Sequence, residues 1–225
     1  MRLYKLSGKL VIRVSPKAAD FLKAYSSNTP DKPRNAFLDL KGKIVVIFDQ
    51  VLVDQDVALI VIESQFVDRL KMHLKTYLFL MGITLEPLNL LVFHDLAGDS
   101  DVKIGEFSVP QSRGRLILTK DPRVCDVNEE SYTLFRLKNN LPVQGVDFDE
   151  ELLLNVGDEE FISYSKGCYL GQEIIARVHH KSKPPKKLVV SYENSFSPEE
   201  IPRMTSLTFD PDRASRAGFH FIQNP

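Results

Sequence analysis

The chain has 225 residues, of which 43% are hydrophobic, and its 29 basic and 30 acidic side chains give a formal net charge of -1 at pH 7. That length suits one large domain or two small ones, and the apolar fraction is enough to build a packed core. The balanced charge argues against a dedicated nucleic-acid-binding protein, because such proteins are usually basic.

The apolar runs of the chain are no longer than strands. The longest, around 44–48 and 57–62, fall far short of the about 20 residues that a membrane-spanning helix needs. The start, "MRLYKLSGKLVIRVS", has neither the apolar core of a secretory signal nor the arginine- and serine-rich character of an organelle presequence. We therefore expect a cytoplasmic protein with no membrane partner, whose two cysteines are thiols and not a disulfide.

The first 64 residues predict strands around one helix. "KLVIRV" (Lys9–Val14) alternates as a strand does, and Ser15 followed by Pro16 is typical of the start of a helix, here running to about Tyr25. "SSNTPDKPRN" predicts a loop, and "AFLDLKGKIVVIFDQVLVDQDVALIVIES" predicts three strands joined by turns. Both faces of the middle strand are apolar, so we expect a helix on one face and a second layer on the other.

In the rest of the chain, predicted helices and strands follow one another less regularly. "SQFVDRLKMHLKTYLFLMG" has the apolar period of a helix, and Gly82 is placed to end it. "ITLEPLNLLVFHDL" predicts strands, "GEFSVP" and "GRLILTKD" a hairpin, and "NEESYTLFRLKNNLP" a helix with Asn128 or Ser131 near its start. A short helix at 172–178 and three strand-like pieces follow. The pattern is α+β, with mixed antiparallel sheets and packed helices.

One cysteine has an unusual setting. In "SKGCYLGQEIIARV", Cys168 lies between Gly167 and Gly171, directly before the predicted helix at 172–178. A helix N-terminus and a neighbouring Lys166 both favour a reactive thiolate. A free cysteine is also often a small buried apolar residue, so the residues alone leave both interpretations open. Cys125, in "DPRVCDV", is expected to be structural.

"KGCYLGQE" resembles the signature of the YgfZ-type folate-binding proteins, relatives of the glycine-cleavage aminomethyltransferase that take part in iron–sulfur cluster maintenance. The segments "VSPKAADFLKAYSSNTPD", "AFLDLKGKI", "RLKNNLPVQGVDFDEELL" and "IIARV" extend the resemblance over about 8–190. It implies subdomains arranged in a ring around a central tetrahydrofolate site, faced by a thiol that the family requires. Carried over by motif, Cys168 takes the catalytic position, and the cofactor-binding positions are Lys166, Gly167, Tyr169, Gly171, Gln172, Glu173, Arg177, Arg136 and Asp147.

The chain also departs from its relatives. After Gly42 the aminomethyltransferase has a pair of aspartates, one of them catalytic, where this chain has Val46 and Ile47. Aliphatic side chains cannot accept a proton, and at about 3.3 Å per residue Asp49 lies several ångströms further along the strand. We therefore expect no aminomethyl transfer. We also expect 1–180 to form the folate-binding region, with two intertwined α+β subdomains, and 181–225 to form a shortened β-barrel-like segment.

Three functions fit these observations. The first is a folate-binding accessory protein in iron–sulfur cluster assembly or repair, with assembly or client proteins as partners and Cys168 beside a tetrahydrofolate pocket. The second is a folate-dependent aminomethyl transferase, and the third is a degenerate homologue that acts by protein contact without folate. The basic linker "HHKSKPPKK" is either solvated or attracts an anion, such as a folate tail or the phosphates of tRNA. His179 and His180 lack metal-ligand spacing with Cys168, so no metal site is predicted.

Overall fold

The computed structural model describes residues 2–157, 160–181, 183–196 and 201–224. In chain order the strands are β1 (Leu3–Lys5), β2 (Lys9–Ser15), β3 (Arg34–Leu38), β4 (Ile44–Leu52), β5 (Ala58–Glu63), β6 (Thr84–Leu88), β7 (Leu91–Asp95), β8 (Phe107–Pro110), β9 (Arg115–Thr119), β10 (Lys186–Tyr192), β11 (Thr205–Asp210) and β12 (Ser215–Gln223). The helices are α1 (Ala18–Tyr25), α2 (Val67–Met81), α3 (Glu129–Lys138), α4 (Leu153–Val156) and α5 (Gln172–Lys181).

A five-stranded antiparallel sheet, in the order β3-β4-β5-β2-β6, is covered on both faces. On one face Ile60 and Ile62 of β5 belong to a core cluster with Phe21 of α1 and Leu70 and Leu74 of α2. The side chains of a strand alternate between faces, so the intervening residues of β5 point the other way. Val46 and Phe48 of β4, the middle of the three predicted strands, lie in the same cluster, so the predicted helix layer on one face of that strand is confirmed.

The second layer is a four-stranded sheet in the order β1-β7-β9-β8. Leu59 and Val61 of β5 pack in one cluster with Val92 of β7 and with Leu116 and Leu118 of β9. The predicted hairpin is also confirmed, since β8 pairs antiparallel with β9. The sequence analysis did not identify β1, whose three residues are too few to show a period.

The C-terminal strands form a separate antiparallel sheet in the order β10-β12-β11. Within the described residues β10 and β11 each pair with β12 and not with each other, so these strands do not close a barrel. Leu188 and Phe219 of this sheet share a core cluster with Ala36, Leu38 and Ile44 of the first sheet. The C-terminal segment is thus packed onto the region before it.

The predicted start of the first helix is wrong by two residues. α1 begins at Ala18, and the turn between β4 and β5 supplies the groups that cap it. Lys17 N donates to Asp56 Oδ1 at 3.1 Å, and Ala19 N donates to the carbonyl oxygen of Gln55 at 3.1 Å. Because a tertiary contact satisfies these orphan N–H groups, the local cap offered by Ser15 is not used.

Helices α2 and α3 end and begin, respectively, at the residues that their sequence signals predict. Gly82 ends α2 with φ 68°, a left-handed conformation that glycine adopts without steric cost. Asn128 caps α3 by accepting a hydrogen bond from Ser131 N at 2.9 Å. Among the described residues, no helix combines the length and the apolar character needed to span a membrane.

Candidate functional site

Cys168 is exposed, in the segment that leads from α4 into α5. The turn after it is closed by Gln172, whose Oε1 accepts from Tyr169 N at 3.1 Å and whose N donates to the carbonyl oxygen of Tyr169 at 3.3 Å. Tyr169 itself is buried in the core cluster shared with the C-terminal sheet. The thiol therefore faces outward from a backbone that is fixed immediately after it.

Lys166 anchors the other side of the loop. Its Nζ donates to the carbonyl oxygens of Ser26 at 2.5 Å and Asn28 at 3.1 Å, and lies 5.1 Å from the centroid of the Tyr169 ring. Burial, with a smaller effect from the charge of Lys23, lowers the pKa of Lys166 to about 8. The sequence argument assigned this ammonium to the thiol, whereas the structure assigns it to two backbone carbonyls.

The segment before the cysteine is tied to the residues after α1. Ser27 Oγ donates to the carbonyl oxygen of Phe161 at 2.6 Å, and Ser163 N donates to the carbonyl oxygen of Ser27 at 3.0 Å. Asn28 Nδ2 donates to the carbonyl oxygen of Glu160 at 3.0 Å. The "SSN" stretch was predicted only as a loop. It holds in place the segment 160–171 that carries Cys168, called the cysteine loop below.

The motifs "AFLDLKGKI" and "SKGCYLGQEIIARV" contact each other at Gly42 and Gly171. A Cβ on Gly171, which has φ 82°, would lie 2.4 Å from the carbonyl oxygen of Asp39 and 3.3 Å from Gly42 Cα. A Cβ on Gly42 would lie 3.3 Å from Ile174 Cβ. The β3–β4 turn therefore packs against the start of α5, which explains both glycines by protein contact. Gly167 differs, because nothing lies within 4 Å of the place its Cβ would take.

A cavity of about 540 Å³ opens beside the cysteine loop. Its volume lies within the roughly 300–1,000 Å³ of small-molecule sites. Its polar lining residues come from the loop after α1, the β8–β9 turn and the cysteine loop: Asn28, Lys32, Arg34, Gln111, Ser112, Glu160, Ser163, Tyr164 and Ser165. The sequence analysis assigned none of these residues to a site, because they belong to three segments that only the fold brings together.

Arg34 forms the inner wall of this cavity. Its guanidinium forms an ion pair with Glu160, its Nε lies 3.4 Å from Asp49 Oδ1, and its Cζ lies 4.4 Å from the centroid of the Phe161 ring. The guanidinium is thus shared between the cysteine loop and the first sheet. Arg34 and Gln111 also line a second cavity deeper in the molecule.

The deeper, central cavity has a volume of only about 80 Å³. Ile47 lines it, as does Asp49, whose Oδ1 accepts from Gln111 Nε2 at 3.1 Å and whose Oδ2 lies 3.9 Å from Lys9 Nζ. This volume is well below that of typical ligand pockets, so the central cavity is a less suitable place for a pterin than the cavity beside the cysteine loop. Cys168 is not among its lining residues, which differs from the expectation that the thiol faces the centre.

A buried histidine forms part of the central wall. His94 Nε2 lies 2.8 Å from the carbonyl oxygen of Arg113, and its Nδ1 lies 3.0 Å from Tyr132 Oη. Burial is the main cause that lowers the pKa of His94, so the ring is neutral at pH 7. A carbonyl can only accept, so Nε2 carries the proton and Nδ1 accepts from the Tyr132 hydroxyl.

Arg136 and Asp147 lie far from the cysteine in sequence and pair with each other. Arg136 Nη1 lies 2.8 Å from Asp147 Oδ2, and both side chains are buried. Asp147 also accepts from Val143 N at 2.8 Å, from Thr205 Oγ1 at 2.9 Å and from Ser206 Oγ at 2.5 Å. Arg136 lines the central cavity, but both oxygens of the Asp147 carboxylate are occupied by protein donors. The pair joins α3 to β11.

The structure does not bring Glu173 and Arg177 to either cavity. They form an ion pair of 2.9 Å along α5, and their side chains are 83% and 60% exposed. His179, further along α5, stacks on Tyr164 of the cysteine loop with ring centroids 3.9 Å apart. No three histidine, cysteine or acidic side chains in the described part of the chain are grouped so as to hold a metal ion.

Both thiols are exposed, so Cys125 is not the structural residue that its sequence context suggested. It lies in the segment between β9 and α3, which has no regular structure. Its sulfur is 3.9 Å from the carbonyl oxygen of Arg123. Exposure alone therefore does not distinguish Cys168 from Cys125.

Comparison with known proteins gives sequence relatives and a structural neighbour. The chain is 26% identical over 231 residues to the human mitochondrial iron–sulfur cluster assembly factor IBA57, covering 82% of this chain and 64% of that protein. The homologue from Neurospora crassa is 26% identical over 249 residues, covering 88% and 55%, and the mouse protein is 24% identical over 234 residues, covering 82% and 64%. The chain thus spans 55% to 64% of the length of these curated relatives. No family model matches it.

The structural neighbour is the glycine cleavage system aminomethyltransferase T from Bartonella henselae. It superimposes with a TM-score of 0.67 over 98% of this chain and 78% of that chain, at 14% sequence identity. The likeness shows the fold: this chain has the α+β architecture of that aminomethyltransferase. The fold class expected from the sequence is confirmed.

Proposed function

We propose that the protein is an iron–sulfur cluster assembly factor of the YgfZ type, which acts as an accessory protein through the thiol of Cys168. The observation that carries the proposal is the exposure of this thiol on a loop anchored at both ends, by Lys166 before it and Gln172 after it. The similarity to proteins named iron–sulfur cluster assembly factors supports the same role. Its partners would be assembly proteins or the proteins that receive clusters.

The cavity beside the cysteine loop is the site we propose for tetrahydrofolate. Its volume of about 540 Å³ suits a ligand of this size, and its wall supplies acceptors and donors for a pterin ring. The Glu160 carboxylate could accept from the ring N–H groups, and the Ser163 side chain could complete the pairing. Tyr164, at the rim, offers an aromatic face, and Lys32 a cation for the acidic tail. Bound tetrahydrofolate would supply a carrier of one-carbon units.

An accessory role fits better than aminomethyl transfer. Ile47, at a position where the sequence resemblance implies an aspartate in the transferase, lines the central cavity, and an aliphatic group cannot accept a proton. Asp49 does reach that cavity, but its carboxylate is shared among Arg34, Lys9 and Gln111. We expect no methylene transfer from an aminomethyl donor to tetrahydrofolate. Measurable turnover in that assay would overturn this part of the proposal.

The role of the thiol is tested by replacing each cysteine in cells that lack their own assembly factor of this kind. Cys168→Ser should fold like the wild type, because the side chain is exposed, and should fail to restore the activity of an iron–sulfur enzyme. Cys125→Ser, the matched control whose thiol is also exposed, should restore it. Full restoration by Cys168→Ser would remove the basis of the proposal.

Folate binding is tested separately by calorimetric titration with tetrahydrofolate. We expect saturable binding that weakens at least tenfold in Tyr164→Ala and is unchanged in Phe209→Ala, a comparably exposed aromatic side chain on β11. The small central cavity favours one alternative, in which the protein acts by contact without folate. Absence of saturation at millimolar ligand, with complementation still dependent on Cys168, would favour that alternative.

The compartment is a further part of the proposal. The sequence predicts the cytoplasm, whereas the relatives carry "mitochondrial" in their names. Fluorescence microscopy of the full chain with a C-terminal tag, alongside mitochondrial and cytosolic markers, distinguishes the two. A mitochondrial signal would contradict the prediction made from the sequence.

A further inference from the structure

Lys166 is a half-buried cation that no carboxylate of the described residues pairs with. Its hydrogen bonds go to the backbone carbonyl oxygens of Ser26 and Asn28. The Tyr169 ring, whose centroid lies 5.1 Å from Nζ, is a weaker partner for a cation than a carboxylate is. Burial without a counter-charge disfavours the charged form, and the charge of Lys23 adds to this effect, so the pKa of Lys166 falls to about 8.

The two carbonyls suit the neutral amine as well as they suit the ammonium. A lysine ammonium has three N–H groups, and the neutral amine has two. Both carbonyl oxygens therefore keep a donor when Lys166 loses a proton, and the lone pair takes the remaining direction. The same two hydrogen bonds hold Nζ in place in either form. The structure thus provides an oriented primary amine with its lone pair free, which is the reactive form of a lysine nucleophile.

The backbone on either side of this lysine is open to solvent. Ser165, Gly167 and Cys168 are exposed. Nothing lies within 4 Å of the place that a Cβ on Gly167 would take. A reagent can therefore approach Lys166 along the exposed side of the cysteine loop without displacing another segment of the described chain.

We propose that Lys166 is an acylation site, modified on Nζ by acyl thioesters such as acetyl-CoA. The neutral amine attacks the carbonyl carbon of the thioester, so that an N–C bond forms. The C–S bond breaks and its electron pair leaves on the sulfur. The proton that the nitrogen releases ends on the departing thiol, so the products are an amide and a free thiol and no further reactant is needed.

An amide fits this position better than the product of an aldehyde would. An acylated Nζ is neutral and keeps one N–H, so it can still donate to the carbonyl oxygen of Ser26 or of Asn28. A neutral imine has no N–H and leaves both carbonyls without this donor. A protonated imine keeps one N–H, but its charge is again half-buried without a carboxylate. Acyl donors are therefore favoured over aldehydes.

Acylation would also loosen the cysteine loop. Lys166 ties this loop to the segment after α1 through two hydrogen bonds, and an acylated Nζ can make only one of them. The loop carrying Cys168 then loses one of its tethers on the side before the thiol. The effect on cluster assembly rests on the proposed function of Cys168, whereas the reactivity of Lys166 does not.

The test is incubation of the full chain with acetyl-CoA at pH 7.5, followed by peptide mass spectrometry over time. Acetylation of Lys166 should be at least about tenfold faster than that of Lys120, an exposed lysine, because a lowered pKa leaves more of the amine neutral. The rate at Lys166 should level off above about pH 8. In urea, where the fold that buries Lys166 is lost, the two lysines should react alike.

Three results would overturn the proposal. Lys166 could react no faster than Lys120 in the folded chain, or its advantage could persist in urea, which would trace it to neighbouring residues and not to burial. Loss of the advantage in Cys168→Ser would show that the thiol takes the acyl group first, which contradicts direct attack. Since the reaction needs neither folate nor a cluster, its outcome is independent of the complementation test of Cys168→Ser.

The link to the loop has its own measurement. Lys166→Gln replaces the ammonium with a neutral amide, as acylation does, and should speed hydrogen exchange in 160–171 relative to the wild type. Lys120→Gln, the matched control, should exchange like the wild type there. Equal exchange in the two variants would show that acylation of Lys166 does not loosen the cysteine loop.

Discussion

Lys166 shows how a motif residue can act through the backbone of a distant segment. Its ammonium is held by two carbonyl oxygens in the segment just after α1, while burial lowers its pKa to about 8. In the unfolded chain the group titrates near its ordinary value of 10.5. Between these two pH values the unfolded state therefore binds more protons than the folded state, and stability rises with pH.

The first prediction follows from that difference. In Lys166→Met the rise in the free energy of unfolding between about pH 8 and pH 10 should be smaller than in the wild type, because the titrating group is gone. Urea unfolding at pH 7, 8, 9 and 10 measures the slope. Lys120→Met, which removes an exposed lysine, should keep the wild-type slope. Equal slopes in the Lys166→Met variant and the wild type would contradict the assignment.

At the scale of elements, the β3–β4 turn and the start of α5 fit together because each has a glycine at the contact, Gly42 in the turn and Gly171 before the helix. Gly171 has a left-handed φ of 82°, and a Cβ added to it would lie 2.4 Å from the carbonyl oxygen of Asp39. A side chain there must displace the turn or the helix. This contact fixes the loop after Cys168, as the hydrogen bonds of Lys166 fix it before Cys168.

The second prediction compares the two glycines that flank the cysteine. Gly171→Ala should lower the free energy of unfolding by about 2 kcal/mol or more, from backbone strain and a clash with backbone. Gly167→Ala, whose Cβ would enter open space, should change it by about 0.5 kcal/mol or less. Chemical denaturation of both variants checks this. Similar losses in both would show that the contact with the turn is not what requires glycine.

At the scale of the whole molecule, one buried ion pair connects α3 to the C-terminal sheet. Arg136 of α3 and Asp147 bond to each other, and both reach Ser206 in the C-terminal sheet. Removing one partner of a buried pair leaves the other charge uncompensated, which costs about 3–5 kcal/mol. The docking of the C-terminal sheet should therefore depend on this pair.

The third prediction tests that dependence. Asp147→Asn should destabilise the protein and speed hydrogen exchange in β11 more than in the first sheet, as measured by mass spectrometry. Asp212→Asn is the matched control: its side chain is 76% exposed and pairs with Lys138, so its loss should cost about 0–1 kcal/mol. Unchanged exchange in β11 of Asp147→Asn would show that apolar packing alone holds the sheet.

Local patterns in the sequence were enough to identify α2, α3 and α5, the strands of the first sheet and the α+β class. In these segments the apolar period, the cap of Asn128 and the ending at Gly82 all agree with the tertiary structure. The position of Cys168 directly before a helix was likewise visible in one short motif, whereas its exposure came from the structure. Such features depend on neighbours within a few residues, which the sequence contains directly.

Tertiary structure alone decided the features that depend on distant segments. α1 begins late because the β4–β5 turn caps it, and Lys166 turns to carbonyls 138 and 140 residues away along the chain. The candidate cavity joins three segments around Arg34, and its lining residues are not the ones that the motif assigned to a ligand. Arg136 and Asp147, which the motif predicted as ligand residues, bond to each other and to the C-terminal sheet. The physical reason is that a buried polar group must find a partner wherever the fold brings one, and sequence spacing does not record that distance.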